Sequence, residues 1–218
     1  MGLPIAEELW TNLEESEGHI PCFPPGEVWS VLPTLKGQLN DVLGKIGSRV
    51  PKGVDVDESK GPVHISENAI IEASVYLIGP CYIGPNVTIR HGAYIREYSW
   101  ICFNALVGHS SEIKHSILLP GSKAPHFNYV GDSVLGPNVN LGAGVKLSNL
   151  RNDGKEVFTK LDGERIPTQL RKFGAILGEN CQIGCNAVTN PGVVLGRDCH
   201  VMPNTTVTGI HPKGSILR

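Results

Sequence analysis

The chain has 218 residues, 40% of them hydrophobic, and a formal net charge of −2. Near-neutral charge argues against a dedicated nucleic-acid binder, and no apolar run reaches the ~20 residues of a membrane span. Aromatics are only 6% while Gly (26) and Pro (16) are numerous, as in a fold that buries small and β-branched side chains and turns often.

The N-terminus carries the acidic pairs Glu7-Glu8 and Glu14-Glu15 where a signal peptide would be basic and then apolar, so a cytoplasmic location is expected. Ile5, Leu9 and Leu13 suggest a weak first helix. Leu32, Leu35, Leu39, Val42, Leu43 and Ile46 fall at helical spacing and predict an amphipathic second one. Pro24-Pro25 separates the two, and Pro51 to Pro62 reads as a linker. Residues 1–60 are thus expected to be a helical appendage to a main domain at 61–218. Such helices would cap the open sheet edge of the first coil; the alternative is docking onto a partner protein.

From Ile65 an aliphatic residue returns every sixth position, through Ile71, Leu77, Ile83, Ile89, Ile95, Ile101, Val107, Ile113 and Leu119. Two residues before each stands a mostly small or β-branched one, such as Ala69, Cys81, Ser99 or Ala105. The phase slips across Pro120–Gly131, resumes at Leu135, Leu141 and Leu147, and after an interruption returns at Leu177, Ile183, Thr189, Leu195, Val201 and Val207. A period of six matches neither a helix nor simple strand alternation. It matches a coil of short strands, each forming one face of a prism, with Gly, Pro and Asn at the corners as in Ile83-Gly84-Pro85-Asn86. Stacked coils then pair strand on strand around a buried apolar column. The fold class is all-β, a parallel β-helix. Of the six cysteines, 81, 181 and 199 fall at the small inward positions, and none has metal-type spacing.

Residues 149–173 interrupt the repeat. Glu156 to Pro167 reads as an inserted β-hairpin with Asp162-Gly163 at its turn. Arg151, Lys155, Lys160, Arg165, Arg171 and Lys172 make this arm basic. It is either a solvated loop or a cover reaching over a phosphate-holding site.

The segment from Gly108 to Asp132 concentrates titratable groups. His126 could take a proton from an amine or hydroxyl nucleophile, Lys114 and Arg96 could bind phosphate, and Tyr129, Asn140 and Asn149 could hold sugar hydroxyls or a carbonyl. The run Glu112-Ile113-Lys114, Gly121 through Asp132, Asn138 through Gly144 and Asn149 resembles the acetyltransferase domain of bifunctional N-acetylglucosamine-1-phosphate uridyltransferase/glucosamine-1-phosphate acetyltransferases. The likeness covers residues 63–149 and, less tightly, 174–218.

That resemblance implies a left-handed parallel β-helix, a homotrimer, and active sites shared between neighbouring prisms. It implies His126 as the base on an amino-sugar phosphate such as glucosamine-1-phosphate. Arg96, Lys114 and Tyr129 would hold the sugar phosphate, and Asn140 and Asn149 the amino sugar. Acetyl-CoA would be the co-substrate, with Ala143 positioning the acetyl group, Cys185 and Pro203 beside the carrier, and Arg218 a loose counterpart of a further cofactor contact. No metal is needed for that step. A nucleotidyltransferase half has no counterpart in residues 1–60, which are too few and lack a Gly-rich nucleotide loop. The arm is longer than the family's loop, and Cys185 and Pro203 stand where the family has small residues. Two other readings compete. One is a non-catalytic sugar-phosphate or sugar-nucleotide module that docks a separate nucleotidyltransferase through its N-terminal helices. The other is a hexapeptide carbonic anhydrase with zinc on histidines drawn from His91, His109, His115 and His126, none of which forms the close pair expected of that family.

Overall fold

The computed structural model describes residues 2–218. Three eight-stranded parallel sheets form the faces of a prism, and the chain visits them in strict rotation. The first face begins at Asp55–Asp57, inside the stretch expected to be a linker, and runs through Tyr94–Ile95, Glu112–Lys114 and Tyr129–Gly131 to Thr206–Val207. The second runs from Val63–Ile65 to Ile210–His211, and the third from Ile70–Ile71 to Ile216–Leu217. This architecture is in keeping with the hexapeptide helix that the resemblance implies. No described helix is long and apolar enough to cross a membrane.

The inward column contains the hexad residues from Ile65 to Ile113 and from Leu135 to Val207, nearly all with no exposed surface. Between them the expected register fails in an instructive way. Leu118, not Leu119, follows Ile113 into the core, and Ala124 and Val130 continue the period of six. Leu119 and Ile117 instead face outward into a second apolar cluster. The chain therefore does not lose phase across Pro120–Gly131; it drops one residue before Leu118 and one more before Leu135. Rungs that repeat every 18 residues, as in Tyr76↔Tyr94↔Glu112, become 17-residue rungs in Glu112↔Tyr129↔Lys146. Inward polar residues disguise this continuity. Ser116, Ser122, Asn128 and Ser133 fill the small positions and are fully or almost fully buried. Ser116 donates to the carbonyls of Lys114 and Val130, and Ser133 to that of Gly131, so both buried hydroxyls are satisfied.

The N-terminal helices do not cap the first coil; the open edge of its strand Val63–Ile65 is paired instead by Arg49, which follows them. Helices α1 (Ala6–Leu9) and α2 (Val31–Ile46) lie against the outer side of the second face. There Tyr82, Trp100, Ile117, Val134, Ile176 and Val194 point outward and are buried under Leu9, Trp29, Leu32, Leu35, Leu39 and Leu43. Two indoles fasten the layer: Trp10 Nε1 donates to the Leu177 carbonyl (3.1 Å) and Trp100 Nε1 to the His19 carbonyl (2.9 Å). The apolar face of α2 is thus spent within the chain, which removes the physical basis for docking a partner with it.

The arm contains the expected hairpin, Phe158–Leu161 paired antiparallel with Glu164–Pro167, and Asp162 and Gly163 both have positive φ at its turn. Val157 and Phe173 anchor it in the outer cluster, and Gly192 and Gly209 let it run close along the upper rungs. It lies against the prism above Asn149.

Leu35 has no exposed surface between α2 and the second face. Leu35→Ala is expected to cost about 2–5 kcal/mol in urea unfolding, whereas Ile70→Ala on the exposed third face should stay within ~0.5 kcal/mol.

Candidate functional site

Each rung passes two corners beside the first face. One contains His126–Asn128, where the chain enters the strand Tyr129–Gly131; the other contains Asp132 and Ser133, where it leaves. Both use a left-handed residue, Phe127 (φ 52°) and Asp132 (φ 47°). The sequence-predicted site residues divide between these corners.

At the Asp132 corner the two 17-residue rungs stack Lys114 and His115 directly beneath Gly131 and Asp132. Lys114 Nζ lies 3.2 Å from Asp132 Oδ2, with only 14% and 6% of the two side chains exposed. His115 Nδ1 is 2.9 Å from Asp132 Oδ1, and the Asn149 amide donates to Oδ2. Burial disfavours the Asp132 charge, yet the His115 hydrogen bond, Lys114 and Asn149 outweigh it and hold the carboxyl below the usual carboxylate range. Tyr129 stands beside this group. Burial first, then the Glu112 and Asp132 charges, push its phenol up, partly offset by a hydrogen bond with Asn149. Gly131 leaves room for both: a Cβ would lie 2.6 Å from the Tyr129 hydroxyl and 2.7 Å from the Asn149 amide, so those side-chain ends would have to shift. Arg96, one rung below, donates to Glu112 at 2.8 Å, which raises its pKa further.

The other corner gathers a second set. Gly144 donates to the His126 carbonyl, Asn186 to that of Ala143, and Asn204 to that of Cys185, so His126, Ala143, Cys185 and Pro203 occupy equivalent places in successive rungs. Arg218 follows Leu217, which is in register with Val201, and so begins the same corner at the top. Exposed Phe127, Cys185 and Met202 make this edge an apolar strip. The His126 ring is exposed and makes no hydrogen bond among the described residues; its turn is fixed by Asn128, which accepts from the His126 amide and donates to the Gly142 carbonyl.

Asn140 joins neither group. It sits on the third face between Lys123 and Gln182, beside a recess of about 430 Å³. The histidines behave differently from their sequence reading. His91 stacks under His109 at 5.5 Å, one rung apart and in the column of His126, while His115 lies at the Asp132 corner. The arm contributes a recess of about 650 Å³ between Ser148–Asp153, Phe158 and Asn190, just above Asn149. Phe158 is flanked by Arg165 (4.4 Å) and Arg151 (5.6 Å), and Arg151 is paired with Asp153. Asp132, Glu112 and Gly131 lay within the motif that carried the resemblance but were given no role, and His115 was considered only as a zinc ligand; the 17-residue offset is what brings them together.

Residues 77–166 match the family model described as the GMPPB C-terminal domain, and residues 174–209 match that of the bacterial transferase hexapeptide (six repeats). The chain is 36% identical over 203 residues to the bifunctional sugar-1-phosphate nucleotidylyltransferase/acetyltransferase of Sulfurisphaera tokodaii, covering 93% of this chain and 50% of that one. It is 36% identical over 176 residues to the bifunctional protein GlmU of Methanocaldococcus jannaschii, covering 81% and 42%. The chain thus spans about half the length of the curated relatives it matches. A solved UDP-N-acetylglucosamine acyltransferase from Campylobacter jejuni superposes with a TM-score of 0.39 at 17% identity over 75% of this chain and 69% of that one.

Because Asp132 is held below its ordinary pKa, its stabilising contribution is complete above the free carboxyl's value of 3.8 and is lost as pH falls through the lower folded-state value. Asp132→Asn should therefore destabilise by about 1.5–3 kcal/mol at pH 7. In urea unfolding, the gap to the unsubstituted protein should close at strongly acidic pH.

Proposed function

The chain is a hexapeptide-repeat protein related to the C-terminal half of the bifunctional sugar-1-phosphate nucleotidylyltransferase/acetyltransferases, and on that basis we propose that it is an acyltransferase. Its donor is an acyl-CoA, acetyl-CoA in the first instance, and its acceptor the amine of a sugar phosphate such as glucosamine-1-phosphate. The observation that carries this reading is the division of one prism face. Cationic and amide groups (Arg96, Lys114, Asn149) with Tyr129 stand toward one edge, and an exposed histidine with an apolar strip stands at the other. An anionic sugar and a thioester chain need those two different surfaces side by side.

In the transfer the amine nitrogen attacks the thioester carbonyl, the C–N bond forms, and the C–S bond breaks to release the thiol. His126 takes the proton that the amine loses. Its exposed ring suits a base that must approach a bound substrate, and most of the acceleration comes from holding amine and thioester in contact. Lys114 and Arg96 supply charge for the phosphate, and Tyr129 and Asn149 hydrogen bonds for the sugar. A homotrimer would close the site, because Asn140 and the third face lie away from the Asp132 corner and would meet the substrate only from a neighbouring prism.

Release of free thiol from acetyl-CoA in the presence of glucosamine-1-phosphate tests the reading. His126→Ala should lower kcat by about 10²–10⁴-fold with an unchanged fold, and Lys114→Met should mainly raise KM for the sugar phosphate. No thiol release with any amino-sugar phosphate would sink the proposal.

A further inference from the structure

We propose that His115 is a positioning residue that sets the charge of the acceptor site through Asp132, so that affinity for the sugar phosphate follows the protonation of this one imidazole. The inference deepens the function proposed above and rests on it for the nature of the ligand.

Asp132 is the hub. Its two carboxylate oxygens take three donors: His115 at 2.9 Å on Oδ1, and Lys114 at 3.2 Å together with Asn149 on Oδ2. Two of those donors, Lys114 and Asn149, are the groups expected to face the substrate. While His115 is neutral, the Lys114 charge and the Asp132 charge cancel, and the lysine is committed to its partner. When His115 takes a proton, the same cluster carries one net positive charge. Asp132 then has a second cation on its other oxygen, which frees part of the Lys114 field for a phosphate. Histidine is the side chain whose charge changes between about pH 5 and 8.

The surroundings favour this role. The imidazole is 23% exposed, so protons reach it. Its backbone amide is tied to the Glu97 carbonyl, and the Tyr98 ring meets it edge-on at 6.0 Å. The charged and titratable groups around it are Asp132 from the rung above, Lys114 immediately before it in the chain, Tyr98 and Glu97 from the rung below, and Lys36 of α2, whose Nζ lies 5.2 Å from the Tyr98 ring centroid. Asp132 alone offers His115 a carboxylate hydrogen bond among the described residues.

His115→Asn keeps an N–H donor for Asp132 but cannot take a charge. Binding of glucosamine-1-phosphate to the full chain, and to this variant, is measured by calorimetry at pH 5.5 and pH 8 at one ionic strength. The ratio of the two affinities cancels the titration of the phosphate itself. The expected result is a wild-type advantage of about three- to tenfold at pH 5.5 that disappears at pH 8. His115→Leu, which leaves Asp132 without this donor, should weaken binding at both pH values, with Asn restoring the pH 8 affinity. A ratio that is the same at both pH values overturns the inference and leaves the acceptor site standing. Failure of the unsubstituted protein to bind the phosphate ester at either pH overturns the acceptor-site reading itself, and the inference with it.

Discussion

Everything in this molecule depends on one constraint: each rung must satisfy its backbone hydrogen bonds on the rungs above and below while sending one aliphatic and one small side chain inward. Parallel pairing leaves the strands no freedom of register, because a slip of one residue would turn the core outward. Freedom remains only at the corners, where a single left-handed residue reverses the chain. Most corners use Asn or Gly for this, which tolerate positive φ cheaply. Beside the candidate site Gly144, Asn186 and Asn204 follow that habit, while Tyr98, His115, Phe127 and Asp132 take the same conformation with other side chains. Strained conformations at bulky or charged residues persist where the surroundings over-determine them. Here the stacked rungs do so, and at one of these corners the His115 ring meets the Asp132 carboxylate.

The two shortened rungs show how this constraint builds chemistry. Removing one residue from the same corner in two successive rungs leaves the face strands in register but brings His115 under Asp132 and Lys114 under Gly131. A carboxylate buried this far would ordinarily favour its neutral form, and three converging donors reverse that preference. The cluster is therefore charged and mostly buried. A lysine held in that way keeps its position without a ligand, at the expense of part of its field. At the other corner the requirements differ. His126 has to reach an incoming amine, so the structure fixes its backbone through Asn128 and leaves its ring unconstrained.

The periodicity of six was legible because inward positions tolerate little besides aliphatic and small residues, and nine successive hexads from Ile65 to Ile113 mark the faces. It became illegible where Ser116, Ser122, Asn128 and Ser133 entered the core, since a pattern of hydrophobicity cannot tell a buried serine bonded to a carbonyl from a solvated one. Leu118 and Leu119 are chemically identical, and only the surrounding register decides which one faces the core. Arg96, Lys114, Tyr129 and Asn149 were visible through the family resemblance of their motif, and the structure groups them. Asn140 came from the same motif and lies on another face. Proximity along the chain says nothing about which side of a prism a residue occupies.

By itself the sequence determined that the chain coils into a parallel prism, that helices precede it, and that a hairpin interrupts it at residues 149–173. These are consequences of local periodicity, turn chemistry and side-chain size, which act over a few residues and are written in order. The tertiary structure decided what the helices cover, which leucine enters the core, and which charges meet. The first depends on contacts as distant as Trp10 with Leu177, and the last two on contacts between residues 17 or 18 positions apart, such as His115 with Asp132. A difference of one residue in that offset changes the partner, and the offset is fixed only when the rungs stack.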